Sequence, residues 1–324
     1  MLRFIFRRLI LIPPAVMLVH FLGFAYAHLV RPLRAARNPF LASVTESEPL
    51  LPSYWAYLQR LAHGELGTMP AIPMFGRIPI PLIDALKMTA QASFGLLFLA
   101  LFLSIVIGLI LGLSAVKVQP PGMAQWLSSM STVGLAMPSF FLGSLFFAFW
   151  FLALIWGGPG SEPAIPLSGF GWDIHLLMPT LVLMARPTVQ IAQVTATLMV
   201  EELNKQYITT ARSVGNPWRA IRSRHALRNI IAPVIVTIAG ALRLLVAELI
   251  VVEWLFEWPG LGNLLAQSLI PSQTITMNST GDSVLFLNPV VVAAVLAIFA
   301  ALFLLADVIA SSMGRYFDPR LRVD

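Results

Sequence analysis

The sequence predicts an all-α integral membrane protein with six transmembrane helices, and two observations lead to this fold class. The 324 residues are 58% hydrophobic with a mean hydropathy of +0.82, which is more apolar than a water-exposed surface tolerates. Six segments also hold the roughly 20 apolar residues that a helix needs to cross a bilayer core. We expect these spans at about 9–29, 88–115, 128–156, 176–199, 232–256 and 288–313.

The first span has the outline of a signal peptide but is predicted to stay in place. It follows Arg7 and Arg8 and ends near Ala25-Tyr26-Ala27, a triplet that resembles a cleavage site. Its apolar run is longer than the core of a signal peptide, and cleavage would leave only five spans. We therefore expect an uncleaved membrane anchor.

The largest predicted segment outside the membrane is residues 30–86, between the first and second spans. Within it, PSYWAYLQRLAHG places Tyr54, Tyr57, Leu58 and Leu61 at helical spacing, which predicts an amphipathic helix. The next two spans are separated by a turn at Pro120-Pro121-Gly122. Farther along, GGPGSEPAIPLSGFGWD has the composition of a loop, and PSQTITMNSTGDS that of a polar strand or loop.

The distribution of lysine and arginine orients the spans. With both termini in the cytoplasm, the cytoplasmic segments carry 13 of these residues and the outer segments carry 5. The positive-inside rule favours this orientation. The first span alone does not orient the protein, because Arg31, Arg34 and Arg37 follow it as closely as basic residues precede it. The later loops decide the orientation, and residues 200–231 carry six of the 13 cytoplasmic residues.

The segment 200–231 predicts two helices joined by a sharp corner. VEELNKQYITTARSV has no helix breaker before Gly215, a residue type that commonly follows the end of a helix. Asn216 then suits an N-cap and Pro217 the first turn of a second helix, PWRAIRSRHALRN. We expect this unit, the elbow, to face the cytoplasm.

The arginines of the second helix are not confined to one face. Arg219 and Arg222 fall on one side, and Arg224 and Arg228 on another. A helix lying on the membrane surface would keep its charges together, so this distribution favours protein or lipid headgroups on several sides. The alternative is that the arginines only enforce topology; nucleic-acid binding is disfavoured.

An ordered set of motifs resembles the inner-membrane permease subunits of binding-protein-dependent ABC importers, in their dipeptide, oligopeptide and nickel branch. The set covers nearly the whole chain and consists of MLRFIFRRLILIPP, HGELGT, GLAMPSFFLG (134–143), HLLMPTLVL (175–183), YITTARSVG, RHALRNIIAPV, VVEWLFEWPGLGNLL (251–265) and FDPRLR (317–322). Against this pattern, residues 270–285 resemble an insertion before the last span.

The resemblance implies a type I ABC importer permease fold, with the chain forming one transmembrane domain over residues 1–324. It implies that the elbow is the coupling helix, which docks onto an ATPase. The implied ATPase-coupling residues are Thr210, Ala211, Arg212, Val214, Gly215, Trp218 and Arg219. It also implies a location in the bacterial cytoplasmic membrane.

The implied partners are a second homologous permease, two ATP-binding cassette ATPases, an external solute-binding protein and membrane lipid. ATP and magnesium would be bound by the ATPases, and no cofactor or metal is expected in this chain. The sequence agrees with this, because it has no cysteine, no glycine-rich phosphate loop of the GxxxxGK[ST] type and no HExxH motif. We therefore expect a transport subunit and not an enzyme.

Charged residues inside the predicted spans are candidates for a translocation pathway, because a charge at the bilayer centre costs several kcal/mol unless it faces protein or water. Arg243, Glu248 and Glu253 lie in the fifth span, with Arg186 and Asp307 in or near others. Arg243 and Glu248 are about 140° apart on a helix, so each needs a partner elsewhere. Buried structural pairing is the alternative to a pathway role.

Prolines add a second candidate feature of the pathway. Pro138 interrupts the predicted third span and is expected to kink it close to the pathway. The sequence therefore favours ATP-driven import of di- or oligopeptides by alternating access. A secondary transporter driven by an ion gradient, or a membrane scaffold that transports nothing, are the alternatives.

Overall fold

The computed structural model describes residues 2–35, 48–69, 80–157, 165–270 and 285–317. In chain order its helices are α1 (Leu2–Ala35), α2 (Leu50–Ala62), α3 (Leu82–Ser114), α4 (Gln125–Ala136), α5 (Ser139–Gly157), α6 (Leu177–Leu203), α7 (Gln206–Ser213), α8 (Trp218–Ala220), α9 (Leu227–Leu255), α10 (Leu261–Leu269) and α11 (Pro289–Phe317). A 3₁₀ turn at Ile174–Leu176 precedes α6, and a π-helical stretch at Ile221–Ala226 joins α8 to α9. Two short antiparallel pairs are formed by β1 (Thr68–Met69) with β2 (Ile80–Pro81), and by β3 (Val116–Val118) with β4 (Pro121–Met123).

Six helical stretches in the described part of the chain are long and apolar enough to cross a membrane, which confirms the predicted number of spans. They are Ile5–Arg34, Leu82–Ser114, Ser139–Gly157, Ile174–Leu203, Trp218–Leu255 and Pro289–Phe317. Each overlaps one predicted span. All six pass an end of the predicted apolar run, Ser139–Gly157 by only one residue.

The third predicted span, 128–156, is wrong as a single helix. The structure divides it into α4 and α5 at Met137 and Pro138, where Met137 has extended backbone angles (φ −86°, ψ 118°). The cause is Pro138, which disfavours helical angles at the preceding residue and has no N–H to continue the ladder. Its carbonyl instead accepts the first bond of α5, from the amide of Phe141 at 3.0 Å.

The predicted helix through VEELNKQYITTARSV is also interrupted. α6 ends at Leu203, and Lys205 has extended angles (φ −74°, ψ 150°) before α7 begins. The side chain of Asn204 bonds back to the carbonyl of Val200 at 2.9 Å, which competes with continuation of the helix. The arm of the elbow is therefore a separate short helix and not an extension of the span.

The amphipathic helix predicted in the segment 30–86 is confirmed as α2, and it packs on α1. Tyr54 and Tyr57 are buried, and their hydroxyls lie 3.0 and 3.2 Å from the two ring nitrogens of His20. Phe24 of α1 stacks on the ring of Tyr57, with 5.3 Å between centroids. Residues 36–47 and 70–79 of the segment lie outside the described residues.

The structure contains a helix that is not predicted from the sequence, α10, which follows the WPG turn after α9. Most of its side chains are buried, including Leu261, Leu264 and Asn263, and it packs against α9, α11 and α3. The polar stretch at 271–284, which makes up most of the expected insertion at 270–285, lies outside the described residues.

The buried side chains form two main apolar cores. One core lies among α3, α6, α9, α10 and α11 and includes Leu96, Leu249 and Trp258. The other lies at the base of the elbow, and Met199 and Ile230 belong to it. α6 reaches both cores because it is 27 residues long, with Leu183 in the first core and Met199 in the second. It packs closely on α3, where a Cβ on Gly112 would lie 2.6 Å from the carbonyl oxygen of Ala192.

Candidate functional site

The elbow has the predicted shape, a corner between two helical arms. Gly215 has a positive φ of +91°, and its amide bonds to the carbonyl of Arg212 at 2.8 Å. Such an angle strains any residue with a side chain, which explains glycine at the corner. Asn216 does not cap the second helix as expected; its side chain bonds back to the carbonyl of Ala211 at 3.1 Å and so closes the end of α7.

The tip of the elbow exposes an apolar side chain between charged ones. Val214 is 78% exposed, and the space around Gly215 is open. Thr210, Arg212 and Arg219 are exposed as well. An apolar tip with charged neighbours is the composition expected of a surface that docks another protein.

The remaining predicted coupling residues form the inner side of the elbow. Ala211 and Trp218 are half-buried against the lower core. The guanidinium of Arg212 lies over the indole of Trp218, 4.2 Å from its centroid, and bridges the two arms by a cation–π contact. The structure thus brings together all seven predicted coupling residues.

The arginines of the second arm differ in their surroundings: one contacts α3 and the others are exposed. Arg222 donates to the main-chain carbonyl of Leu113 in the last turn of α3, and so holds the elbow against that helix end. Arg224 and Arg228 are exposed, as Arg219 is. Arg222 is not among the predicted coupling residues. Its contact with Leu113 is visible only in the fold, because the two residues lie 109 positions apart in the sequence.

The intramembrane charges are paired between helices, as expected for Arg243 and Glu248. Arg243 donates to Asp307 of α11 at 2.7 Å. Asp307 also accepts from Arg8 of α1 at 2.6 Å. On another side of α9, Glu248 accepts from Arg186 of α6 at 3.0 Å.

The ion pairs around Glu248 and around Asp307 differ in the exposure of their side chains. The side chain of Glu248 is 11% exposed while that of its partner Arg186 is 36% exposed. The side chain of Arg243 is 42% exposed. Charged groups of this exposure cannot face lipid at low cost, so in the membrane they require water or another protein surface.

Glu253, expected along the pathway, has a different place. It is fully buried, and it accepts bonds of 2.6 Å from both the hydroxyl of Ser93 and the amide of Gly262. Ser93 in turn accepts from the amide of Leu261 at 2.8 Å. Glu253 thus joins α9 to α3 and α10 from inside the protein, where no solute reaches it in this conformation.

Pro138 likewise does not kink a continuous span. It is exposed between α4 and α5, where it begins the transmembrane helix. The contribution of this position is therefore to separate two helices, and not to bend one.

Comparison with known proteins identifies the chain. The family described as "binding-protein-dependent transport system inner membrane component" matches residues 104–323, which include the elbow and the paired charges of α6, α9 and α11. The chain belongs to this family. It is thus the membrane permease component of an ABC importer, a non-catalytic inner-membrane subunit that works with an ATPase and a solute-binding protein.

Three relatives show how far the similarity extends. The glutathione transport system permease protein of Pectobacterium atrosepticum is 28% identical over 280 residues, covering 83% of this chain and 87% of the relative. The dipeptide transport system permease protein of Escherichia coli strain K12 is 28% identical over 304 residues, covering 83% and 88%. The glutathione transport system permease protein of Salmonella typhimurium is 26% identical over 280 residues, covering 83% and 87%.

Proposed function

We propose that this permease carries short peptides inward by alternating access, driven by ATPases that dock on the elbow. The peptide substrate is supported by the names of the relatives, which are dipeptide and glutathione permeases. The docking site rests on one observation above all, the 78% exposed Val214 at the tip of a glycine corner that carries charged neighbours. When a partner covers an exposed apolar side chain, apolar surface is removed from water, and this favours binding.

The proposed complex contains a second homologous permease and two ATPases, which bind ATP and magnesium, with this chain acting as one transmembrane domain among lipids. The exposed charges support the second permease. Arg186 and Arg243 lie in the membrane with more than a third of each side chain open, so a facing subunit and a water-filled pathway would have to enclose them. We assign the charged groups of the pathway to Arg186 and Glu248, which pair between α6 and α9, and to Arg243 on another side of α9.

The docking proposal is tested in the complete importer with Val214→Glu. A charge at the tip should remove the ATPases from the purified complex and abolish ATP-driven uptake. The matched control is Leu51→Glu on α2, an apolar side chain that is 69% exposed and far from the elbow in sequence. ATPases that stay bound to the Val214→Glu complex, with uptake intact, would contradict the docking site.

The substrate and the energy source are tested by uptake of a radiolabelled dipeptide and of glutathione into proteoliposomes. Uptake should require ATP on the side of the membrane that the elbow faces and the solute-binding protein on the opposite side. Uptake that follows an ion gradient without ATP would support the secondary-transport alternative. No uptake by a fully assembled complex would support the scaffold alternative.

The proposed orientation places both termini and the elbow in the cytoplasm and α2 outside. The chain has no cysteine, so single cysteines at Asn216 and Trp55 report on each side without background. A membrane-impermeant maleimide added to intact spheroplasts should label Trp55→Cys and not Asn216→Cys. The reverse pattern would overturn the orientation.

A further inference from the structure

A buried carboxylate lies at the base of the elbow. Glu202, in the last turn of α6, is 6% exposed. It accepts hydrogen bonds from the ammonium of Lys205 at 2.5 Å, the hydroxyl of Tyr207 at 2.6 Å and the amide of Asn229 at 2.8 Å. Three donors satisfy a group that would otherwise be costly to bury.

The three donors come from three different segments. Lys205 lies in the break between α6 and α7, Tyr207 lies in α7, and Asn229 lies in the first turn of α9. The amide nitrogen of Asn229 is also 3.2 Å from the hydroxyl of Tyr207, so the donors contact one another. Glu202 therefore joins the end of one span, the first arm of the elbow and the start of the next span.

The backbone beside Glu202 contains the break between α6 and α7, which this link spans. Helical hydrogen bonding from α6 ends with the amides of Asn204 and Lys205, and the extended angles of Lys205 then change the chain direction. Two helices joined at such a break can turn relative to each other. The side chain of Glu202 crosses this break and restrains α7 from the side.

Apolar packing, together with the hydrogen bond from Arg222 to the carbonyl of Leu113, already holds the elbow near the spans. Ile208, Ile221 and Ile230 are buried in the lower core, from 0 to 2% exposed. Such contacts resist separation, but they are non-directional and allow sliding. The hydrogen bonds of Glu202 have fixed directions, so their specific contribution is to set the angle of the arm.

We propose that Glu202 is the positioning residue that makes the elbow move α6 and α9 as one unit. This rests on the proposed docking of ATPases at Val214 and Gly215. A displacement of the tip enters the protein through α7 and α8, and the Glu202 network converts it into movement of both spans. Without the network, α7 turns at the break and part of the displacement is lost.

The experiment compares Glu202→Gln with Glu201→Gln in the complete importer. Gln has the size of Glu but turns an N–H toward donors. Glu201 is the adjacent glutamate, exposed to solvent, and serves as the matched control. ATP hydrolysis and peptide uptake are measured in the same proteoliposomes, and the readout is peptide moved per ATP hydrolysed.

For Glu202→Gln we expect bound ATPases, retained hydrolysis and a roughly tenfold lower ratio of uptake to hydrolysis, within the usual range of coupling between sites. Glu201→Gln should keep the wild-type ratio. The double variant Glu202→Gln with Asn229→Asp should recover part of the ratio, because the aspartate accepts from the new amide. A role limited to folding would lower the amount of complex and leave the ratio unchanged.

Equal loss of uptake and hydrolysis in Glu202→Gln, with no recovery in the double variant, would overturn the inference. If Glu202→Gln does not assemble, Tyr207→Phe removes one donor without changing charge and should lower the same ratio several-fold; an unchanged ratio in that variant is equally decisive. Failure of the docking proposal is seen separately, because Val214→Glu would then keep its ATPases.

Discussion

Arg243 and Glu248 lie five residues apart on α9 and bind opposite neighbours. Arg243 pairs with Asp307 of α11 at 2.7 Å, and Glu248 pairs with Arg186 of α6 at 3.0 Å. Five residues correspond to about 140° around a helix, so the two ion pairs hold α9 from two sides. The central span of the proposed pathway is thus fixed by charges whose partners lie on different helices.

The pair between α6 and α9 is expected to stabilise the permease only when both partners are present. Glu248→Leu leaves the guanidinium of Arg186 unpaired and should lower stability by about 2 kcal/mol, less than for a fully buried pair because Arg186 is partly open. Arg186→Leu together with Glu248→Leu should recover most of this loss. Thermal unfolding of the purified complex measures both, and additive losses would refute the pairing.

Around Asp307, removing the carboxylate of Asp307 is expected to lower stability more than removing the neighbouring hydroxyl of Ser311. Asp307→Asn leaves Arg8 and Arg243 beside each other without the anion that bridges them, which should lower both thermal stability and uptake. Ser311→Ala, which removes one 2.7 Å acceptor of Arg8, is the control and should cost about 1 kcal/mol or less. Equal effects of the two substitutions would show that the ion pairs are not important.

The contact between α9 and α10 is expected to exclude even a methyl group. A Cβ on Gly262 would lie 2.5 Å from the Cα of Ile250 and 2.9 Å from the carboxylate of Glu253, so Gly262→Ala should destabilise the permease by about 2 kcal/mol or more. Gly240→Ala is the control, because its Cβ would meet only Arg243, at 3.8 Å. Melting temperatures of the two variants should therefore differ clearly; matching values would contradict the packing.

Two tyrosines outside the spans are expected to titrate late. Burial raises the pKa of Tyr57 to about 12, helped by Tyr54 and opposed by Arg60. Burial and the bond to Glu202 raise the pKa of Tyr207 to about 12. The folded state thus favours the neutral phenols, and this contribution to stability is complete below pH 10 and is lost as the pH rises from 10 to 12.

Absorbance of tyrosinate at 295 nm in detergent measures this titration. Tyr57→Phe and Tyr207→Phe should each remove part of the signal that develops near pH 12, while circular dichroism shows that the helices persist. A difference titration centred at pH 10 for either variant would mean that the phenol is not held as the structure has it.

Much of the fold was predictable because the signals were local. The number of spans followed from runs of apolar residues, and the corner at Gly215 followed from the backbone preference of glycine. Pro138 is also a local signal, but a proline by itself does not distinguish a kink within one helix from a break between two helices. α10 is not predictable in the same way, because nine residues of mixed composition give no clear helical pattern. Burial against three neighbouring helices stabilises it.

The candidate site was predicted as a set of residues but not as a set of contacts. The sequence identifies Arg186, Arg243, Glu248 and Asp307 as charges in or near the spans and predicts partners elsewhere for Arg243 and Glu248, but it cannot name the pairs. The sequence makes both Glu248 and Glu253 candidates for the pathway, yet Glu253 is sealed by Ser93 and Glu248 pairs with an open arginine. Neighbouring helices make this difference, and they are distant in the chain.

By itself the sequence determined the membrane class, the six spans, the elbow and, through its motifs, the permease family. These properties depend on composition and on the backbone preferences of adjacent residues, which act over a few turns of helix. Only the tertiary structure decided which charges pair, why Glu253 is closed off and how Glu202 links the elbow to two spans. Those properties depend on side chains as far as 299 residues apart, and the packing of the helices alone brings them within hydrogen-bonding distance.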